Sequence, residues 1–228
     1  MRGSIADGTG LDADTIHLHW LDWHLGVQRE PLRRILAPYL GTRPQSVGFI
    51  QDDASSKPRL AGDCGGLCFN WSHSGEWALA AVARDVELGV DLECRQRKVN
   101  ALELAERFFS ASESRYLKDL PAGSRAAAFM RLWTGKEAVL KALGWGLSGG
   151  LDRVVLSLSG GQGLRIDQLA LTELPEQQLR LRSLPVPRQN AFAALAWLGG
   201  PCHIVHFRNG EVLAKSALTS PEAQELLS

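Results

Sequence analysis

From Thr15 to Trp23 the apolar residues Ile16, Leu18 and Trp20 alternate with His17, His19 and Leu21. A period of two predicts a strand, with one wetter face on which the histidines stand exposed. Between Glu30 and Leu40 the spacing changes: Leu32, Ile35, Leu36 and Tyr39 recur at three and four residues, Pro31 suits a first turn, and Gly41 stands just past the end. That pattern predicts a short amphipathic helix. Asp52 to Gly66 is rich in Asp, Ser, Pro and Gly and reads as a loop leading into Leu67 to Trp71. Trp77 to Ala83 and Glu87 to Glu93 then read as the two strands of a hairpin turned at Arg84-Asp85. On the return strand Gly89, Asp91 and Glu93 share one face while Val90 and Leu92 share the other, so two carboxylates two residues apart point the same way.

Helical spacing returns in the second half. Asn100 with Glu103, and Ser110 with Glu113, both have the form of a helix-start box. After Pro121 and Gly123 a longer helix is predicted from about Arg125 to Leu143, closed by Gly144, with Phe129, Leu132, Trp133, Leu140 and Leu143 facing inward. Arg153 to Leu158, Gly163 to Leu169, Gln178 to Leu184 and Asn190 to Leu198 read as antiparallel strands. Gly160 to Gly163 reads as a hairpin turn, because no helix pattern follows it to make a phosphate cradle. Strands and helices that do not alternate as βαβ units give an α+β fold.

Composition narrows the classes. Lys plus Arg and Asp plus Glu balance at 25 each, so no global field draws the chain to nucleic acid or an anionic membrane. The longest apolar stretches, Trp77 to Ala83 and Ala191 to Leu198, fall far short of a membrane span. Met1 to Asp14 is polar, lacks the apolar core of a secretory signal, and is expected to be a disordered or tag-like N-terminus. Four cysteines, Cys64, Cys68, Cys94 and Cys202, are too scattered for a disulfide framework, and the Cys64–Cys68 offset lacks a zinc-knuckle spacing. A reducing cytoplasm is the expected location.

The candidate chemistry sits in three pieces: Phe69-Asn70-Trp71-Ser72-His73-Ser74, then Gly89-Val90-Asp91-Leu92-Glu93, then Trp133-Thr134-Gly135-Lys136-Glu137-Ala138-Val139-Leu140-Lys141. Glu137 and Lys141, four apart, share a helical face. If strand and helix pack together, three carboxylates meet, and an oxygen-only cluster suits a hard ion such as magnesium. Each piece alone has a plainer reading. Asp91 and Glu93 fit an exposed edge strand, Glu137 and Lys141 fit a solvated helix pair, and Ser110 with Glu113 makes a capping box that needs no catalysis.

Taken in this order and spacing, the pieces resemble the surfactin-synthetase-activating class of 4′-phosphopantetheinyl transferases, as do Lys57-Pro58 and Arg107-Phe108-Phe109-Ser110 with Glu113. The resemblance runs from about Arg29 to Leu158. It implies a Mg2+-dependent enzyme that moves phosphopantetheine from coenzyme A to a serine of an apo acyl or peptidyl carrier protein, releasing adenosine 3′,5′-bisphosphate. By the same resemblance Asp91, Glu93 and Glu137 bind the metal, Lys141 and Lys136 contact phosphate, and Lys57, Ser72 and His73 hold the 3′-phosphate and adenosine end. Glu113 and Glu137 are the candidates for proton transfer, and Arg29 and Arg33 stand in for upstream basic residues that the short segment Trp20 to Arg29 omits. The resemblance also implies two pseudo-twofold-related lobes, each a small antiparallel sheet with helices, in a monomer with residues 15–94 in the first lobe, 95–212 in the second and 213–228 as a tail. A basic patch around Arg115, Lys118, Arg125 and Arg131 is expected to meet an acidic carrier. Two other classes compete, a metal hydrolase of coenzyme A or nucleotide pyrophosphates and a non-catalytic binding module.

Overall fold

The computed structural model describes residues 10–24, 29–51, 58–94, 100–145, 150–159, 163–170, 178–186, 191–208 and 211–216. The expectations for residues 1–9, Lys57, the joint at 95–99, the turn at 160–162 and the tail from 217 lie outside these residues.

The first strand, β1 (Thr15–Asp22), splits its faces as the alternation predicts, with Ile16, Leu18 and Trp20 fully inside the central core. The polar face is not wet. His17 and His19 are 2% and 8% exposed, because helix α1 (Glu30–Tyr39) lies over them and sets the Tyr39 hydroxyl 2.7 Å from His17 Nδ1 and 2.8 Å from His19 Nε2. Phe207 of β11 (His203–Arg208) stacks on His19. Burial, with the His17 charge adding to it, pushes His19 down to about 3. Periodicity assigns a polar face but cannot say what covers it, and here the cover corrects the expectation of exposed histidines.

β4 (Leu67–Ser74) and β5 (Trp77–Arg84) form a hairpin across Gly75, whose φ of +59° favours glycine. β5 also pairs antiparallel with β1, and β1 pairs in parallel with β11, which is followed by β12 (Glu211–Ser216). The resulting sheet has the order β12-β11-β1-β5-β4. The second sheet, β6-β10-β9, is antiparallel and consists of β6 (Leu88–Cys94), β9 (Leu179–Leu184) and β10 (Ala191–Leu198). Two smaller pairs, β2 (Phe49–Gln51) with β3 (Pro58–Leu60) and β7 (Val154–Ser159) with β8 (Gly163–Leu169), complete the strands described. β3 falls inside the stretch expected to be loop.

Two expectations change here. β5 and β6 are not a hairpin: β6 leaves the first sheet after the turn at Asp85, which has a φ of +52°, and pairs with β10. The physical reason is the double-sided apolar content of β5. Leu79, Ala81 and Ala83 need a layer over them, and Leu88, Val90 and Leu92 of β6 supply it, making the core between the sheets together with Trp197 and Leu195. The sheets therefore do not follow the division at residues 94 and 95, since β6 joins the second sheet and β11 and β12 join the first.

The helices α2 (Ala101–Phe108) and α3 (Ala111–Asp119) pack against α4 (Ala122–Ala142), which covers the outer face of the second sheet by lying on β6 and β10. Ser110 and Glu113 complete a capping box at the start of α3. At α2 the box does not close; Asn100 donates to the Glu103 carboxylate at 2.7 Å instead. Phe129, Leu132 and Leu140 of α4 are buried as expected, and Trp133 and Leu143 are half-buried. No helix of the described residues is long and apolar enough to cross a membrane.

Gly89 sets how closely β6 approaches α4. A Cβ at Gly89 would stand 2.2 Å from the Ala138 carbonyl oxygen and 2.3 Å from the Ala142 nitrogen, both main-chain atoms that cannot swing aside. Gly89→Ala is expected to force strand and helix apart, at a cost of about 1–3 kcal/mol or more. It should also separate the acidic side chains carried on the two elements. Urea unfolding and metal titration check both consequences; an unchanged midpoint with unchanged metal affinity would contradict this packing.

Candidate active site

The site is built where β4, β6 and α4 meet. Alternation along β4 puts Asn70, Ser72 and Ser74 on the side facing β6, and all three reach across to it. Asn70 accepts from the Val90 backbone N–H at 2.9 Å, Ser72 Oγ donates to Asp91 Oδ1 at 3.0 Å, and Ser74 Oγ donates to Glu93 Oε2 at 3.0 Å. The seam between the sheets is thus zipped by side chains where no ladder joins them, and it sets the rotamers of the two acidic residues. The sequence reading missed this role of Asn70 and Ser74, although their period of two with Ser72 carries the signal.

On the other side α4 presents Glu137 and Lys141 one turn apart. Lys141 Nζ donates to Asp91 Oδ1 at 2.7 Å, to the Val90 carbonyl at 3.2 Å and to Ser72 Oγ at 3.3 Å. Asp91 is 4% exposed, so its pairing with Lys141 is only weakly screened. Its Oδ2 is buried and has no hydrogen-bond partner. A buried acceptor left without a donor costs about 1–3 kcal/mol. Glu137, also buried, is pushed up to about 7, first by burial and then by the Asp91 charge, with Lys141 opposing and Glu93 adding. Three carboxylates therefore bear on one point, to which Lys141 brings an ammonium.

That donor set fits a hard divalent cation: the oxygens are carboxylates, one is an orphaned buried acceptor, and the cluster carries more negative than positive charge. Among the described residues no three His, Cys, Asp or Glu side chains already stand in an ion-holding arrangement. Lys141 holds Asp91 in the position where mutual repulsion would otherwise open the cluster.

Other candidates fall elsewhere. Ser72 and His73 leave opposite faces of β4: Ser72 Oγ is committed to Asp91 and Lys141, and His73 is exposed, with its ring stacked on Trp23 at 4.7 Å. Alternation therefore separates the two residues expected at one end of a ligand. Lys136 is fully buried, 0% exposed, and its ammonium lies 2.7 Å from Glu113 Oε1 and 2.8 Å from Oε2. It also donates to the Leu151 carbonyl at 2.9 Å and to the Val154 carbonyl, and it sits 4.6 Å from the Phe109 ring centroid. Burial draws the Lys136 ammonium down, and the Glu113 charge opposes it. Lys136 accordingly points into the helical core, not at a phosphate.

Glu113 is equally committed. Its Oε2 accepts from the Ser110 N–H and hydroxyl at 3.0 and 2.6 Å, and its Oε1 accepts from the Leu156 N–H at 2.9 Å. With Lys136 on both oxygens, Glu113 has no free lone pair for an incoming serine, and of its two readings the cap is the one the geometry supports. Arg29 and Arg33 lie over the Phe49 ring at 5.4 and 5.2 Å, and Arg33 also donates to the Val47 carbonyl. Arg125 donates to the Leu120 and Lys118 carbonyls at 2.9 and 2.8 Å, closing the end of α3, and Lys118 pairs with Glu106 at 2.6 Å. Of the expected basic patch, Arg131 borders an open groove with Tyr116, Leu120, Ala127 and Leu158.

An acidic cluster with a lysine, carried by β6 and α4 of an α+β fold, is what the structure places here. Comparison with known proteins gives the family. Residues 87–195 match the family described as the 4′-phosphopantetheinyl transferase superfamily. Over 178 residues the chain is 34% identical to the 4′-phosphopantetheinyl transferase HetI of Nostoc sp., covering 74% of this chain and 68% of that protein. It is 38% identical over 127 residues to the Synechocystis protein slr0495, covering 56% of this chain and 52% of its counterpart. It is also 45% identical over 91 residues to the 4′-phosphopantetheinyl transferase psf-1 of Bacillus pumilus, covering 40% and 38%. The chain thus spans between about half and two thirds of the first two relatives. It belongs to the 4′-phosphopantetheinyl transferase superfamily.

Proposed function

We propose that the protein transfers 4′-phosphopantetheine from coenzyme A to the serine hydroxyl of an apo carrier protein, in the manner of the surfactin-synthetase-activating class. The observation that carries this reading is the Asp91–Glu137–Lys141 arrangement with its orphaned Asp91 Oδ2. Phosphoryl transfer asks a protein for positioning and charge neutralisation more than for covalent chemistry. Asp91, Glu93 and Glu137 would hold Mg2+, and the ion would supply neutralising charge to the coenzyme A diphosphate. Lys141, 26% exposed along its side chain, would exchange part of its contact with Asp91 for a phosphate oxygen. His73 would meet the 3′-phosphate from the opposite face of β4, and Lys57, Arg29 and Arg33 are further candidates for the phosphates. The serine oxygen forms a bond to the phosphorus on the pantetheine side while the diphosphate bond breaks, releasing adenosine 3′,5′-bisphosphate. With Glu113 saturated, Glu137 would be the carboxylate that assists removal of the serine proton. We read the chain as a cytoplasmic monomer, with Arg131 and Tyr116 facing the carrier.

Incubating the protein with coenzyme A, magnesium and an apo carrier, then weighing the carrier, tests this. Transfer adds the mass of phosphopantetheine to the carrier. Free phosphopantetheine without carrier gain indicates a hydrolase, and no change in either indicates a binding module.

The Glu137 shift predicts a pH dependence with a defined sign. A carboxylate must lose its proton to hold a metal, so magnesium affinity is expected to fall as pH drops through about 7. The decline should approach about tenfold per pH unit for one titrating group. For stability the sign is reversed: the metal-free folded form keeps a proton that the unfolded chain releases from 4.5 upward, so this group lowers stability as pH rises from 4.5 to about 7. Magnesium should therefore raise the melting temperature more at pH 8 than at pH 6. Equal shifts at both would contradict the account of Glu137.

A further inference from the structure

The outer face of β4 carries an aromatic corner that the acidic cluster does not use. Trp71 and His73 lie two residues apart and so on one face of the strand, and Trp23, just beyond the end of β1, closes against both. The His73 imidazole lies nearly flat on the Trp23 indole, centroids 4.7 Å apart and planes 15° apart. Trp71 flanks the same imidazole at 5.4 Å and meets Trp23 edge-to-face at 5.1 Å. Trp23 itself is 7% exposed, and its backbone N–H donates to the Glu76 carbonyl at 2.7 Å, which pins it to the turn between β4 and β5.

The consequence follows from how a surface histidine behaves. An exposed imidazole at a strand end samples several rotamers, and fixing one costs side-chain entropy at the moment of binding. A ring laid on a buried, backbone-anchored indole has lost that freedom already. One face is covered by the indole, and the residue remains exposed.

We propose that Trp23 is a positioning residue that holds the His73 imidazole in the orientation needed to read a terminal phosphate monoester, and that it thereby sets the preference for coenzyme A over its 3′-dephospho form. This rests on the assignment of His73 to the 3′-phosphate made above. Stacked aromatic pairs contribute about 0.5–1.5 kcal/mol beyond burial, so loss of the stack should lower that preference about three- to tenfold.

The test compares kcat/KM for coenzyme A and 3′-dephospho-coenzyme A in the wild type, Trp23→Ala, Trp23→Phe, His73→Ala and the Trp23→Ala/His73→Ala double variant. Calorimetry with adenosine 3′,5′-bisphosphate and adenosine 5′-monophosphate reads the same preference without turnover. Trp23→Ala should reduce the ratio about three- to tenfold, Trp23→Phe should largely preserve it, and the double variant should be no less selective than His73→Ala alone. A merely structural Trp23 would raise KM for both donors equally and leave the ratio untouched, which overturns the proposal, as does an unchanged ratio in His73→Ala. A chain that transfers from neither donor but still shows the Trp23-dependent preference by calorimetry would sink the transferase reading and leave this inference standing.

Discussion

Asp91→Ala should lower kcat/KM for carrier modification by about a hundred- to a thousandfold, the range found when a preorganised electrostatic group is removed from a site of developing charge. The expectation comes from how completely Asp91 organises its surroundings. It receives Ser72 from β4 and Lys141 from α4 on one oxygen and presents the other, unpartnered, to the cluster. Removing it would take one oxygen from the proposed metal site and break the ion pair with Lys141. Glu137→Gln should act on the same unit, so the double variant should be scarcely worse than either single one. A rate series at saturating magnesium checks this, with an Arg34→Ala variant as control, since Arg34 is exposed and pairs with Glu30 on its own helix. A loss of less than tenfold in Asp91→Ala would contradict the assignment.

Glu113→Gln is expected to destabilise the protein by about 3–5 kcal/mol, because it leaves the Lys136 ammonium buried without its counter-charge. The exposures, 0% for Lys136 and 3% for Glu113, decide this, since neither group has water to fall back on. The pair ties the start of α3 to α4 and, through the Leu151 and Val154 carbonyls and the Leu156 N–H, to β7. Lys136→Met in the Glu113→Gln background should recover part of the loss, because the pair then disappears together. Urea unfolding of the three proteins reads the effect as a shift in midpoint. A Glu113→Gln variant that unfolds with the wild type, yet turns over slowly, would return Glu113 to the catalytic candidates.

Much of this was legible from spacing. Gly89, Asp91 and Glu93 share a face because strands alternate, and Glu137 and Lys141 share one because helices turn every 3.6 residues. The sequence also showed why two elements should meet, though not that Gly89 is what lets them, which requires knowing that main-chain atoms of α4 lie 2.2 and 2.3 Å from a Cβ there. Partners across space were the blind spot. Lys136 and Glu137 are neighbours in a polar motif and look equivalent, but adjacent helix positions point about 100° apart, and one enters the core while the other enters the cluster. Ser72 and His73 diverge for the corresponding reason on a strand. The histidines of β1 looked wet because nothing in their own segment announces the helix and strand that cover them, and β6 looked like the return of a hairpin because a sheet switch and a tight turn share the same local residues.

The central claim is that the carboxylates of β6 and α4 serve a single divalent ion, and manganese binding followed by electron paramagnetic resonance addresses it without any turnover. In the presence of coenzyme A the wild type should hold one tightly bound manganese ion per chain, displaced by magnesium, and Asp91→Ala and Glu137→Gln should each abolish it. Manganese bound equally well by both variants would place the metal elsewhere and remove the basis of the mechanism.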